Sequence, residues 1–339
     1  MRTYRGKTND IVFLLGAGAS VDAGLPTVAK LTEDLRNRLP TLSDPNGVIR
    51  PEFGQVFDLI ETYDPSVAKN YERFFEWIKL LLDVKKEPFR KLICTNISNQ
   101  FIELMAHLSF VVGEEIAHLL QSKPTTPDYL RRLTDFLPEK GRLKVFTLNY
   151  DCCLEDICQA KGVELTTGFD PKTKKWKPSL FRSKSIGINL FKLHGSLRWF
   201  GTRDKRLSND EFQYNLVLME LRSEERENLP SYIDVSPKPE LILGPGNKIQ
   251  PDDPFLTLFY EFQSSLLQAK ICVIIGYSYQ DFHINSVLDQ AVDRGIRIVD
   301  VNPTNLSTRY LTHDHYHHLP LHARDALVSR KIISEIRKI

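Results

Sequence analysis

The 339-residue sequence has no apolar run near the roughly 18–20 residues that a membrane span needs, so no transmembrane helix is expected. It holds no C-x-x-C pair, and its cysteines are only five: Cys94, Cys152, Cys153, Cys158 and Cys272. The odd count and the spacing argue against a disulfide framework and against a four-cysteine zinc site. Reduced thiols, packed as small apolar residues in a cytoplasmic protein, are the expectation. An excess of charge is also absent: 45 Lys+Arg stand against 43 Asp+Glu, a formal net charge of +2. Such a balance gives no bulk electrostatic pull towards nucleic acid or a membrane surface. No internal repeat and no low-complexity tract is visible. The start, Met1 to Lys7, has the charge of a signal peptide, but the apolar stretch Ile11–Leu15 is too short for one. What remains is an ordinary globular mixture, 42% hydrophobic and 26% charged. The length fits one large α/β domain with an insertion, or two modest domains.

Short β-rich apolar runs stand at Ile11–Leu15, Leu143–Leu148, Leu241–Leu243, Ile271–Ile275 and Ile296–Val301, with Asn189–Leu193 a further candidate. Each is stopped by Gly, Asn or Pro. Continuous apolar runs of this length are what buried parallel strands look like, because helices cover both faces. Helical spacing is found at Thr27–Leu39, Tyr71–Leu82, Ser98–Leu120, Asp128–Phe136, Ser264–Ala269 and Asp281–Gly295, with Asp281 placed as an N-cap. Strands alternating with helices predict a Rossmann-like α/β fold, a doubly wound parallel sheet. More than a hundred residues separate the first two strands, far more than one crossover needs. The core is therefore expected at 1–40 and 141–310, a large helical insertion at 41–140, and a C-terminal tail at 311–339. The insertion's broad apolar faces (Phe74, Phe75, Trp77, Ile78; Phe101, Leu104, Leu108, Val111) suggest self-assembly, a homo-oligomer. Gly168–Ser185, with Lys172, Lys174, Lys175 and Lys177 among its residues, reads as a solvated loop or hairpin, and Gly201–Lys238 as a polar excursion.

Chemistry-bearing residues gather where strands end. The first strand runs into Gly16-Ala17-Gly18-Ala19-Ser20. Glycines there let the backbone approach a ligand, and the next N–H groups can cradle a pyrophosphate. A tight turn without a ligand is the alternative. The dehydrogenase fingerprint is not met, because Val21 stands where its third Gly belongs and no second strand follows promptly. The second strand ends in Asn149-Tyr150-Asp151, where both polar side chains can reach a crevice, or can form an Asn/Asp turn and helix cap. His194 precedes Gly195 at a strand end, the placement of a general base or of a His satisfied in a loop. Gly276, Ser278 and Asn302 follow the last strands. Five of the nine histidines cluster at His313, His315, His317, His318 and His322 without a recognisable ligand spacing, so no metal site is expected and the segment reads as solvated or as interface.

The ordered set GAGAS with a downstream Leu-Pro, then TLNYD, HG, GYSYQD and VNP resembles the Sir2 (sirtuin) superfamily, over most of the chain in motifs. GYSYQDFHIN is similar to the bacterial Sir2-like anti-phage defence branch. The resemblance implies NAD as substrate, with Gly16, Ala17, Gly18, Ala19 and Ser20 carrying the pyrophosphate. It places Gly276, Ser278 and Asn302 at the adenosine half, and Asn149, Asp151 and His194 at the nicotinamide–ribose bond. It departs from deacylating sirtuins: the two C-x-x-C pairs of the zinc-ribbon module are missing, so no structural zinc is expected, and the aromatic and Arg after the glycine loop are missing too. NAD hydrolysis to nicotinamide and ADP-ribose, depleting NAD in infected cells, is the implied activity. An NAD-dependent protein deacylase and an NAD or ADP-ribose sensor or scaffold subunit are the alternatives. The chain stops soon after the last motif, so a separate partner is expected, of the class of a HerA-type ATPase or another defence-system component, with nucleic acid at most indirect.

Overall fold

The structure is a computed structural model that describes residues 10–82, 99–121, 126–204, 217–244, 252–305, 310 and 313–338. Cys94, the first seven residues and Pro245–Asn247 lie outside them. The chain divides into two compact units, one of residues 1–25, 123–241 and 249–339, the other of residues 26–122 and 242–248.

The first unit is built on a seven-stranded sheet. Its strands are β1 (Ile11–Leu15), β2 (Arg142–Thr147), β3 (Leu165–Thr166), β4 (Gly187–Lys192), β8 (Ile271–Ile275), β9 (Arg297–Val301) and β10 (Tyr316–Leu319). The spatial order is β10-β9-β8-β1-β2-β4-β3, and every pairing is parallel. Alternate residues feed two cores. Ile11, Phe13, Leu15, Val145 and Val273 pack under one helical layer: α6 (Cys153–Ala160), the 3-10 stretch Asp128–Phe136, α10 (Ala323–Val328) and α11 (Lys331–Lys338). Val12, Leu14, Phe146, Cys272 and Ile274 pack under α8 (Phe255–Gln268) and α9 (Phe282–Asp293). Burial on both faces is why these strands are unbroken apolar runs. Each such side chain contributes roughly 1.5–3 kcal/mol. The doubly wound parallel sheet is thus the observed fold.

Three segments differ from the sequence expectation. Leu241–Leu243 is not a strand; Leu241 makes one bridge to Gly195. Prolines at 237, 239 and 245 flank it and cannot donate to a ladder. The polar excursion holds a three-stranded antiparallel sheet, in which β5 (Trp199–Asp204) lies between β6 (Val217–Glu220) and β7 (Ile233–Val235); the short helix α7 (Ser223–Glu227) separates β6 from β7 in sequence. The segment after residue 310 supplies β10, α10 and α11 to the main unit, because Ile332, Ile333 and Ile336 line one buried stripe.

The second unit holds α2 (Val28–Arg38), α3 (Glu52–Tyr63), α4 (Tyr71–Leu82) and α5 (Asn99–Leu120). The Phe57 and Phe74 rings lie 4.6 Å apart, tilted at 49°. Thr32 Oγ accepts the Tyr71 N–H at 2.9 Å and donates to Val28 O at 2.7 Å. Phe74, Phe75, Ile78, Leu108 and Val111 are buried within the chain. The apolar breadth that suggested self-assembly is largely consumed there. Among the described residues no helix is long and apolar enough to cross a membrane.

The strand order reverses between β1 and β8, and the loops after these two strands meet at their carboxyl ends. Gly16 N–H donates to Ile275 O, and Gly18 N–H to Gly276 O, each at 2.9 Å. A Cβ on Gly276 would lie 2.3 Å from Ala19 N and from Gly18 C, at a φ of +65°. One on Gly16 would lie 2.6 Å from Gly276 O. Only glycine allows two backbones this close. Gly276→Ala is expected to lower stability by roughly 2–5 kcal/mol, from overpacking plus left-handed strain. Denaturant unfolding checks this, and a wild-type midpoint would refute the contact.

Candidate functional site

In an open α/β sheet a ligand crevice forms where the strand order reverses, outside the carboxyl ends. That point here is the loop after β1, with α1 (Gly18–Val21), beside the loop after β8. The N–H groups of the glycine loop are mostly engaged inside the protein: besides Gly16 and Gly18, Ala19 donates to Gly16 O and Ser20 to Ala17 O. The first role of Gly16 and Gly18 is therefore steric. Ala17 is the exposed residue of the loop and Gly18 is half-buried.

Asn149 and Asp151 leave the end of β2 and turn towards this loop. Asn149 Nδ2 donates to Gly16 O at 2.9 Å and to Ser20 Oγ at 3.1 Å. Ser20 Oγ donates to Asp151 Oδ2 at 2.8 Å. Asp151 Oδ1 accepts the Cys153 N–H at 3.0 Å, at the start of α6. The turn alternative is thus realised at Asp151, while Cys152 holds the helix N-cap position. Because Gly16 O can only accept, the amide orientation of Asn149 is fixed, and both of its donors are used. Its Oδ1 is the atom left to meet a ligand hydroxyl or water. The cavity lined by Ser20, Asn149, Asp151 and Lys192 measures about 10 Å³, room for one water at most.

Lys192, the last residue of β4, carries a role that the sequence reading did not give it. Its ammonium is fully buried, 3.0 Å from Glu155 Oε1, and donates to the Asp151 carbonyl. Burial opposes the charge, but Glu155, Cys152 and Asp151 hold the ammonium protonated above its ordinary range. Loss of one partner from such a pair costs about 3–5 kcal/mol. A lysine inside the otherwise apolar stretch Phe191-Lys192-Leu193 was the signal in the sequence.

His194 follows β4, ahead of Gly195 at a φ of +95°. It is 2% exposed and stands with Asp281 and His283 at the start of α9. The two imidazole rings lie 5.6 Å apart. The sequence reading had placed Asp281 as a cap. It does hold the N-cap position, yet its side chain makes no cap hydrogen bond. Of the residues expected at the adenosine half, Gly276 meets the glycine loop, Ser278 is exposed, and Asn302 is buried. Asn302 Nδ2 donates to Asp300 Oδ1 at 2.6 Å and to Tyr277 O at 3.2 Å, tying the loops after β8 and β9 together. Asp300 also accepts from Tyr316 Oη at 2.6 Å, and burial pushes its carboxyl up from the usual range. A larger cavity, about 650 Å³, lies under Arg142, Lys144 and Asn189, towards the amino ends of β2 and β4. The strand-end chemistry outweighs cavity size as a guide here.

Residues 143–306 match the family model of the SIR2-like domain. The match supports the Sir2 superfamily and spans Asn149, Asp151, His194, Gly276, Ser278 and Asn302. No curated protein matches the sequence. Among solved structures, a mutant Sir2 homologue in complex with 2′-O-acetyl ADP ribose is similar at 16% identity, over 97% of this chain and 92% of that one, with a TM-score of 0.43. A Sir2 homologue–NAD complex is similar at 14% identity, over 99% and 97%, with a TM-score of 0.38. Likeness at this level assigns no residue and no activity.

Cys152 adjoins Asp151 but is no nucleophile: burial, with Glu155 nearby, pushes its thiol up to about 12. Alkylation by iodoacetamide at pH 8, mapped by mass spectrometry, is expected to spare Cys152 and the buried Cys153, Cys158 and Cys272 until the protein unfolds. Rapid modification of Cys152 in the folded protein would overturn that assignment.

Proposed function

We propose that this protein hydrolyses NAD at the bond between ribose C1′ and the nicotinamide nitrogen, releasing nicotinamide and ADP-ribose. The observation that carries the reading is the tie of Asn149 and Asp151 through Ser20 to Gly16, at the point where the strand order reverses. The SIR2-like match over 143–306 supports it.

Nicotinamide is cationic in NAD and leaves neutral, so no general acid is needed. The protein has to hold the ribose and stabilise an oxocarbenium-like transition state. In this reading Asn149 Oδ1 accepts from a ribose hydroxyl or the attacking water. The Asp151 carboxylate already receives two hydrogen bonds and keeps lone pairs for the carboxamide N–H. His194 takes the proton from water as the C1′–O bond forms and the C1′–N bond breaks. Ala17 and Gly18 present the accessible edge of the pyrophosphate loop, with Gly16, Ala19 and Ser20 shaping it. Gly276, Ser278 and Asn302 border the adenosine half. Depletion of NAD in anti-phage defence, with a HerA-type ATPase or other defence partner, in a cytoplasmic homo-oligomer, extends the reading on the strength of the GYSYQDFHIN resemblance.

Product analysis by mass spectrometry tests it, with NAD alone and with an acetyl-lysine peptide. ADP-ribose and nicotinamide are expected without peptide. Asn149→Ala and His194→Ala are expected to lose on the order of 10²–10⁴ in rate while remaining folded. Asn149→Asp should lose as much, because a carboxylate would face Gly16 O. Full turnover in Asn149→Ala would sink the mechanism. O-acetyl-ADP-ribose formed only with peptide would make the protein a deacylase, and NAD binding without product would make it a sensor.

A further inference from the structure

The buried group His194, Asp281 and His283 is built like a metal site. One potential ligand atom from each lies within 4.8 Å of the others. All three side chains are less than a tenth exposed. Two imidazoles and one carboxylate are the donor set of three-ligand zinc sites, which keep a fourth position for water. Tetrahedral ligands about 2.0–2.1 Å from zinc are separated by about 3.4 Å. Side-chain adjustments of about 1 Å therefore close the set around an ion.

Two features fix these side chains before any ion arrives. Asp281 stands at the N-cap of α9, where a capping carboxylate usually stabilises a helix by about 1 kcal/mol. It makes no cap bond. The strand-to-helix loop is clamped: Tyr277 Oη accepts the Asp281 N–H at 3.2 Å and donates to Asn285 Oδ1 at 3.0 Å, and Asn285 Nδ2 donates to Tyr279 O at 2.8 Å. The Phe259 ring, 5.9 Å from that of His283, closes one side with an apolar wall. Held ligands behind a dry wall are what metal affinity requires.

We infer that His194, Asp281 and His283 bind a transition-metal cation of the zinc class, contrary to the sequence expectation of no metal. A nitrogen lone pair given to the ion is not available to water. Occupancy therefore silences His194 as a base, and zinc acts as an inhibitor of the site. The inhibition rests on the proposed NAD hydrolysis; the binding does not.

The test is titration of chelator-treated protein with Zn²⁺ alone by calorimetry, and with Co²⁺ alone by visible absorption. Asp281→Asn and His283→Gln are compared with wild type, and circular dichroism confirms folding. His313→Ala/His315→Ala controls for the histidine-rich segment. One equivalent present in wild type and in that control, and lost in both site variants, is the expected result. An equal number of equivalents in wild type and in folded His283→Gln would overturn the site. Zn²⁺ at one equivalent is then expected to reduce NAD turnover in wild type at least tenfold, and to leave His283→Gln, which retains basal turnover, unaffected. Equal inhibition of both would overturn the regulatory role. If wild type shows no NAD turnover at all, the proposed function fails and the titration still decides the site.

Discussion

Everything at the carboxyl edge of the sheet depends on two backbones lying closer than any side chain permits. β1 and β8 are neighbours in space but are separated by more than 250 residues of chain, and their exits turn towards each other. The Gly18–Gly276 hydrogen bond locks that meeting. From it follow the position of Ser20, the reach of Asn149 Nδ2 to Gly16 O, and the hold of Ser20 on Asp151. A phosphate cradle and a backbone weld make opposite demands on the same N–H groups. Here the weld takes most of them, so substrate affinity has to come from the exposed edge of the loop and from side chains around it.

The sheet itself was legible because burial on both faces leaves a plain signature, five or six apolar residues bounded by breakers, as in Ile271–Ile275. The glycine contact was legible as two glycine-bearing strand exits, though not as a contact between them. The antiparallel sheet was not legible. Its strands β6 and β7 are short and half-buried, so polar residues are tolerated on them, as at Glu220, which bonds Thr167 and Trp199. The C-terminal helices are short and follow a histidine-rich polar segment, so their one apolar signal is the Ile332, Ile333 and Ile336 stripe. Lys192 was missed because a sequence does not say which strand-end cation will be buried beside an acid.

Two buried polar groups stand at the carboxyl ends of the strands. Asn149, Asp151, Ser20 and Lys192 border the core beneath α6, alongside Leu130, Leu154 and Leu190. His283 lies on α9, against Phe259, on the side of the other core. Both groups place carboxylates out of water, where charge has to be matched. In the first, Glu155 and the Asp151 carbonyl are matched by Lys192, whose ammonium stays charged across the accessible pH range. Its electrostatics are constant, which suits a scaffold that orients a substrate.

The second group has no such constancy built into its chemistry. Asp281 stands beside two imidazoles, side chains that carry charge only when a proton is bound and ligate only when it is not. A proton and a metal cation compete for the same imidazole lone pairs. A buried imidazole that serves as a base for water is, by the same lone pair, open to a metal ion.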